Sequence, residues 1–581
     1  MRSRNVTSFP ARCTARYPWH WSNSTGLLAA LLLLAACAPT AAPQQQQGAA
    51  VEAQTAPAQK KQLVAIIAGN PRTLSTQVNG GTGGAADANV IEDFITAGLT
   101  KLDDLGTLRP QLAEAVPSIA NGLWRLLPDG KMETTWKIRE GARWHDGTPF
   151  TSGDLAFTYA VARDSEMPLF RNRTLDLVES IDTPDPRTVT VTWTSLFIEA
   201  DTLFTHIRVL PLPRHILEAP YTADKAGVVS LSYWTDEFVG SGPFRLREFA
   251  PDSHVILTAQ DGYVLGRPKL DEVEIRFVTD HNAVVANVLS GAALMTMGRG
   301  VSLDQAVQLR DQWQDGKLSI ALSGWLVIFP QLINPTPTPI ADVRFRRALL
   351  HAIDRKEMVD TLMWGTVPIA DSLLLPTDEK YREIAPRLAK YDFDPRRAAQ
   401  TIEEFGYARS GGGAYRDSVG RPLSVEMRTT PGFDIHTTGL ESIASYWRRA
   451  GVEVESTVLS LQQSRDLEFR STAPGFTLQL QGTDTSALVR FHSREIPLPE
   501  NRFTGDNKAR YSNAELDALL DKYIVTIPSP ERTQALGQVL GHLSEAVIPL
   551  PLFYNATPTL VSNRVQGATT SRLNVFEWDV R

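Results

Sequence analysis

The residues that most invite a chemical reading are His145 and Asp146, inside the stretch TTWKIREGARWHDGTPFTSGDLAFTY at residues 134–159. An imidazole beside a carboxylate is the pairing of a general base with its orienting partner. The local pattern argues against it. Neighbouring residues on a strand point to opposite faces, and Asp-Gly after a short extended run is first of all a turn. A second candidate, Gly81-Thr82-Gly83-Gly84-Ala85-Ala86, fits the relaxed G-x-G-x-x-A pattern of dinucleotide-binding turns. It lies well past the strand expected over residues 62–68 instead of directly after it, and reads as a loop. No G-x-x-x-x-G-K-[ST], H-E-x-x-H or G-x-S-x-G occurs, so the local signatures of phosphate, zinc and acyl-transfer chemistry are missing. The only two cysteines, Cys13 and Cys37, lie near the N-terminus and supply neither a disulfide framework nor a thiolate metal site. The expectation is a protein that is not an enzyme, with no catalytic residue, no metal and no cofactor.

The elements around His145 are legible. Trp136 and Ile138 alternate with polar neighbours as in a half-buried strand, Glu140-Gly141 turns the chain, and Arg143-Trp144-His145 starts a second strand that Asp146-Gly147 ends. Thr151 and Asp154 then form a capping box for a helix with Leu155, Tyr159 and Ala162 on one face. Further caps are expected at Asp342, at Asp354 with Glu357, at Asp394, and at Ser512 with Glu515. The arginine pairs Arg346-Arg347, Arg396-Arg397 and Arg448-Arg449 fall on predicted helices and read as solvated faces.

A chain of 581 residues exceeds one hydrophobic core. Its net charge of −7 becomes more negative if the arginine-rich N-terminus is removed, which disfavours nucleic acid as a partner. That N-terminus carries four arginines and then GLLAALLLLAA over residues 26–36, the pattern of a secretion signal too short to span a bilayer. It ends in Leu34-Ala35-Ala36-Cys37, matching the bacterial lipobox, so Cys37 is the expected lipid-modified residue. From residue 38 to 61 the chain is mostly Ala, Pro and Gln, the composition of a tether.

The wording of residues 134–159 closely resembles a block of the family 5 extracellular solute-binding proteins, "F-x-L-R-x-G-x-x-F-H-D-G-T-P-F-T-A-x-D-V". Other blocks follow in the same order: Leu108 to Glu114 (LRPQLAE), Leu210 to Leu217 (LPLPRHIL), Val239 to Leu246 (VGSGPFRL), the run DVRFRRALLHAIDR from Asp342, and Val547 to Phe553 (VIPLPLF).

The resemblance implies an α/β, two-lobed, periplasmic-binding-protein-like fold of type II, in the large class with an extra subdomain, with two crossing strands joining the lobes. The expected segments are a signal at 1–36, a tether at 37–61, lobe I at 62–108 and 226–278, its extra subdomain at 109–225, lobe II at 279–555 and a return to lobe I at 556–581. It further implies the substrate-binding component of an ABC importer, with a peptide as default ligand and nickel chelates, sugars or other small solutes as alternatives; a non-transport surface receptor or adhesin is the remaining alternative reading. The implied partners are the ABC permease with its ATPase subunits and, through the lipid anchor, the outer face of a membrane. The protein is expected to be a monomer. Peptide-binding members hold the ligand's α-amine with an Asp in "G-W-x-x-D-Y-P-D-P". The corresponding region, residues 476–493, lacks the Trp, the Tyr and both prolines and leaves Asp484 as its only acid. Asp484 is therefore the candidate amine anchor, or else it merely shapes a turn. Gln479, Gln481 and Trp325 are the candidates for holding a neutral solute.

Overall fold

The computed structural model describes residues 60–79, 87–409, 411, 413–569 and 572–581. The expected signal, Cys37, the tether up to residue 59 and the loop at 81–86 lie outside the described residues. Among the described residues no helix is long and apolar enough to cross a membrane.

A ten-stranded mixed sheet runs through the body. Its order is Glu453–Val458, Ser424–Thr429, Phe476–Gln481, Gly316–Pro330, Leu550–Ser562, Met295–Thr296, Gln62–Ile67, Glu272–Phe277, His254–Ala259 and Phe244–Ala250. At the first-lobe end Gln62–Ile67 runs parallel to Glu272–Phe277, burying Leu63, Ala65 and Ile67 in one cluster and Ile66 in another. Both faces are covered, so the strand reads as a continuous apolar run. At the second-lobe end Ser424–Thr429 runs parallel to both of its neighbours. Val425, Met427 and Leu478 pack there with Leu440, Ile443, Ala444 and Trp447 of the helix Asp434–Arg449, residues at the three-and-four spacing of one helix face.

Two strands belong to both lobes. Gly316–Pro330 and Leu550–Ser562 pair antiparallel from Gly316 opposite Ser562 to Ile328 opposite Leu550, with register breaks between Leu322 and Trp325 and between Leu326 and Val327. Gly324 sits in the first break, where a Cβ would lie 2.7 Å from the Gln481 carbonyl oxygen. These are the crossing strands of the expected two-lobed fold. The helices His281–Leu289 and Leu303–Arg310 come before the crossing and bury Val284, Val288, Ala306 and Leu309 against Ile66 and Leu560. This part of the segment expected in the second lobe thus packs on first-lobe strands, whose apolar face it covers.

The extra subdomain is a four-stranded antiparallel sheet ordered Trp124–Leu126, Met132–Lys137, Thr188–Trp193, Val178–Asp185. Trp136, Val189, Val191 and Trp193 form its core with Leu155 and Ala162 of the helix Ser152–Arg163. The Thr151 amide donates to Asp154 Oδ2 at 2.8 Å, as the capping box requires. Asp342, Asp354 and Asp394 accept from backbone amides at their helix starts.

Three local expectations are corrected. The second strand of the hairpin reduces to one bridge between Arg143 and Pro149 around the Asp146-Gly147 turn, too short for a ladder. Helix Ala514–Val525 is capped by Asn513, which accepts from Leu516 N at 2.9 Å, and not by Ser512. Arg346 is buried, not solvated: its guanidinium donates to the carbonyls of Ile340, Ala341 and Ala546 at 2.9, 2.8 and 2.7 Å, gluing two helix ends together.

Candidate ligand-binding site

His145 serves the scaffold. Its Nδ1 accepts from the Gly240 amide at 3.0 Å and its Nε2 donates to the Gly242 carbonyl at 3.0 Å. Burial pushes the imidazole down to about 4, outweighing the hydrogen bond to Gly242 that favours the charged form. Asp146 turns away to His215, at 2.7 Å. A Cβ on Gly240 would lie 1.9 Å from the Ile95 carbonyl oxygen, so the glycines allow a close approach that His145 then pins. The pair does structural work, as the turn reading anticipates.

Three cavities lie along the cleft between the lobes. One, of about 560 Å³, is lined by Glu92, Asp93, Lys101 and Arg572 on the first lobe and by Ala321 and Leu322 of a crossing strand. Lys101 Nζ and Arg572 Nε hold the two oxygens of Asp93 at 2.6 and 2.7 Å, and together they keep its carboxyl below the usual range although burial opposes them. Glu92 accepts from Thr76 Oγ1 at 2.7 Å, yet burial pushes it up to about 7. This cavity shares Leu102, Asp104 and His206 with a second, of about 580 Å³, closed on the far side by second-lobe residues 375–380 and 483–486. The lobes touch at its edge, where Ile198 N donates to the Ile524 carbonyl at 3.2 Å.

The second cavity has an acidic pole. Glu199 is ion-paired with Arg208, and burial pushes it up to about 7 against that partner's pull, with the charge of Asp484 adding to the rise. Asp201, also lining the cavity, is raised to about 6 by burial. Neither residue stands out by motif. The available signal is a pair of acids inside the otherwise apolar run LFIEADTLF at 196–204.

The sequence-expected residues separate. Asp484 lines the second cavity and also caps the short helix after it, accepting from Ser486 N at 2.9 Å, so anchor geometry and turn geometry coexist. Gln481 lines a third interlobe cavity of about 830 Å³ with Ser323 and Asn555. Its amide donates to Gln479 Oε1 at 3.0 Å, and Arg490 donates to its oxygen. Gln479 itself is buried. Trp325 is packed in the core, 5% exposed, beside a void of only about 10 Å³. Residues 480–486 thus run along the cleft wall from the third cavity to the second. Among the described residues the amides of Gly482 and Thr483 donate to no protein atom, and a Cβ on Gly482 would meet nothing within 4 Å.

The profile of the bacterial extracellular solute-binding proteins, family 5 (middle region), matches residues 110–489. The chain belongs to this family. Among curated family 5 relatives, the oligopeptide-binding protein AppA of Bacillus subtilis is 24% identical over 440 residues, 74% of this chain and 75% of the relative. A putative ABC transporter peptide-binding protein of Brucella ovis is 27% identical over 464 residues, 78% of this chain and 80% of the relative. The solved structure of Bacillus subtilis AppA with a nonapeptide superposes with a TM-score of 0.67 at 21% identity, covering 90% of this chain and 99% of that one. NikZ from Campylobacter jejuni, solved with Ni(L-His), gives a TM-score of 0.67 at 18% identity with the same coverage. The family 5 fold is therefore shared with proteins described with different ligands.

Proposed function

We propose that this family 5 protein captures a peptide in its interlobe cleft and hands it intact to the permease of an ABC importer, whose ATPase subunits drive transport. The observation that carries the reading is the cleft wall at residues 480–486. It presents unpaired backbone amides at Gly482 and Thr483, an open glycine face and a carboxylate at Asp484, beside the third cavity at Gly482 and the second at Thr483 and Asp484. An extended peptide has the matching groups: carbonyl oxygens for the amides and a terminal ammonium for the acid. The relatives described as peptide-binding support the same class.

Mechanism follows from the crossing strands. The hydrogen-bonded ladder is interrupted at 322–325, and there we place the boundary between the lobes, so that residues 279–315 move with the first lobe. A ligand touching both walls stabilises the arrangement in which they meet, and closure is driven by its differential affinity for the two states. Asp484 contacts the ligand, whereas Gln479, Gln481 and Arg490 brace the wall. Trp325 supports the wall from the core. We place the protein outside the cytoplasmic membrane as a monomer anchored through Cys37.

The test is native mass spectrometry of the purified protein followed by sequencing of whatever denaturation releases. Peptides at one per chain, uncleaved on prolonged incubation, are the expected result. A stoichiometric non-peptide solute overturns the ligand class, and cleavage overturns the receptor role.

A further inference from the structure

The second cavity carries more negative charge than a single terminal ammonium can answer. Six carboxylates line it against three cations, Arg208, Lys380 and Arg532. Three of the acids face one another from opposite lobes: Glu199 and Asp201 from the first, Asp484 from the second. Glu199 is partnered by Arg208, and Asp484 by the Ser486 amide. Asp201 has no side-chain donor among the described residues, only its own backbone amide. An ionised carboxylate recessed without a partner is costly, and the charge of Asp484 acts on Glu199 from the opposite lobe, so like charges oppose each other across the cleft.

We infer that the cleft selects a peptide whose first residue is basic, the α-ammonium going to Asp484 and the side-chain cation to Glu199 and Asp201. This rests on the peptide reading above. A lysine or arginine side chain there supplies hydrogen-bond donors to the unpartnered Asp201 and turns the cross-cleft repulsion into attraction, so the same charge that confers selectivity also favours closure. Burial pushes both Glu199 and Asp201 up, and at Glu199 the charges of Asp484 and Asp201 add to the rise.

The experiment is titration calorimetry at about pH 8, where both carboxylates are ionised. The probes are penta-alanine and the same peptide with lysine or with glutamate first. The lysine-first peptide is expected to bind about tenfold more tightly than penta-alanine or better, with the glutamate-first peptide weakest. In the double variant Glu199→Gln, Asp201→Asn the lysine-first peptide and penta-alanine become equal. Asp201→Asn alone, which leaves the Glu199–Arg208 pair intact, reduces the preference severalfold and serves should the double variant fold poorly. Equal affinities in the parent overturn the charge selection and leave the peptide reading standing. A lysine preference retained in the variants overturns the assignment to Glu199 and Asp201. Failure of all three peptides to bind overturns both readings.

Discussion

The Gly240 amide donates to His145 Nδ1 at 3.0 Å while the Gly240 carbonyl accepts from the His145 amide at 2.9 Å. Two sequence blocks nearly a hundred residues apart are thereby locked as one unit beneath Ile95. The bond to Nδ1 requires an unprotonated nitrogen. Folding lowers the imidazole from 6.5 to about 4, so between those values the unfolded chain takes up the proton and the folded chain does not. Stability is complete above pH 6.5 and falls on acidification toward pH 4, by at most roughly 3.5 kcal/mol at about 1.4 kcal/mol per unit. Thermal denaturation across this range should show that loss, and His145→Gln should flatten it. An unchanged slope in the variant would assign the acid sensitivity elsewhere.

Arg346→Ala should cost roughly 3 kcal/mol or more, because three carbonyls lose their donor in a buried setting. Chemical denaturation measures it. A loss below about 1 kcal/mol would mean that water replaces the guanidinium freely.

Asp484→Asn should weaken an amine-bearing peptide by roughly 1.5–3 kcal/mol, the scale of a charge-assisted hydrogen bond. Acetylating the peptide's N-terminus should produce a comparable loss in the parent and little further loss in the variant. Equal affinity of the parent for free and acetylated peptides would leave Asp484 with only its helix-capping role.

Small-angle scattering should show the radius of gyration falling when a peptide ligand is added, as expected if the ligand stabilises the arrangement in which the walls meet at Ile198 and Ile524. A tightly bound peptide that leaves the profile unchanged would argue for lobes closed from the outset.

Cys37→Ser should move the protein from the membrane fraction to the soluble one, as two or three acyl chains anchor firmly where none do not. Equal partition of parent and variant would rule out Cys37 as the anchor.

What the sequence disclosed was local or carried by the family wording. The caps at Asp342, Asp354 and Asp394 could be read because a cap reaches only two or three residues along the chain. Arg346 could not, because its carbonyl at Ala546 lies 200 positions away and an arginine on a helix looks solvated until its neighbour is known. Trp325 suggested an aromatic ligand surface, but its fate depends on Phe491 and Leu540 arriving from distant segments. Glu199 and Asp201 escaped notice for the same reason: two acids in an apolar run signal a site only once Asp484 faces them. The family blocks disclosed the two-lobed architecture. The break in the ladder at 322–325 emerged only from the pairing with residues 554–556.

The place of Leu550–Ser562 between Gly316–Pro330 and Met295–Thr296 has a consequence for the order in which the protein can be made. The strand that unites the sheet follows all its other strands in the chain, so both half-sheets keep an exposed edge until residues 550–562 arrive. Contacts such as Met295 with Val561 span most of the second lobe's length, and long closures of this kind slow folding. A chain cut short before residue 550 lacks the strand that joins its half-sheets. The arrival of this one strand turns two half-sheets into a single sheet.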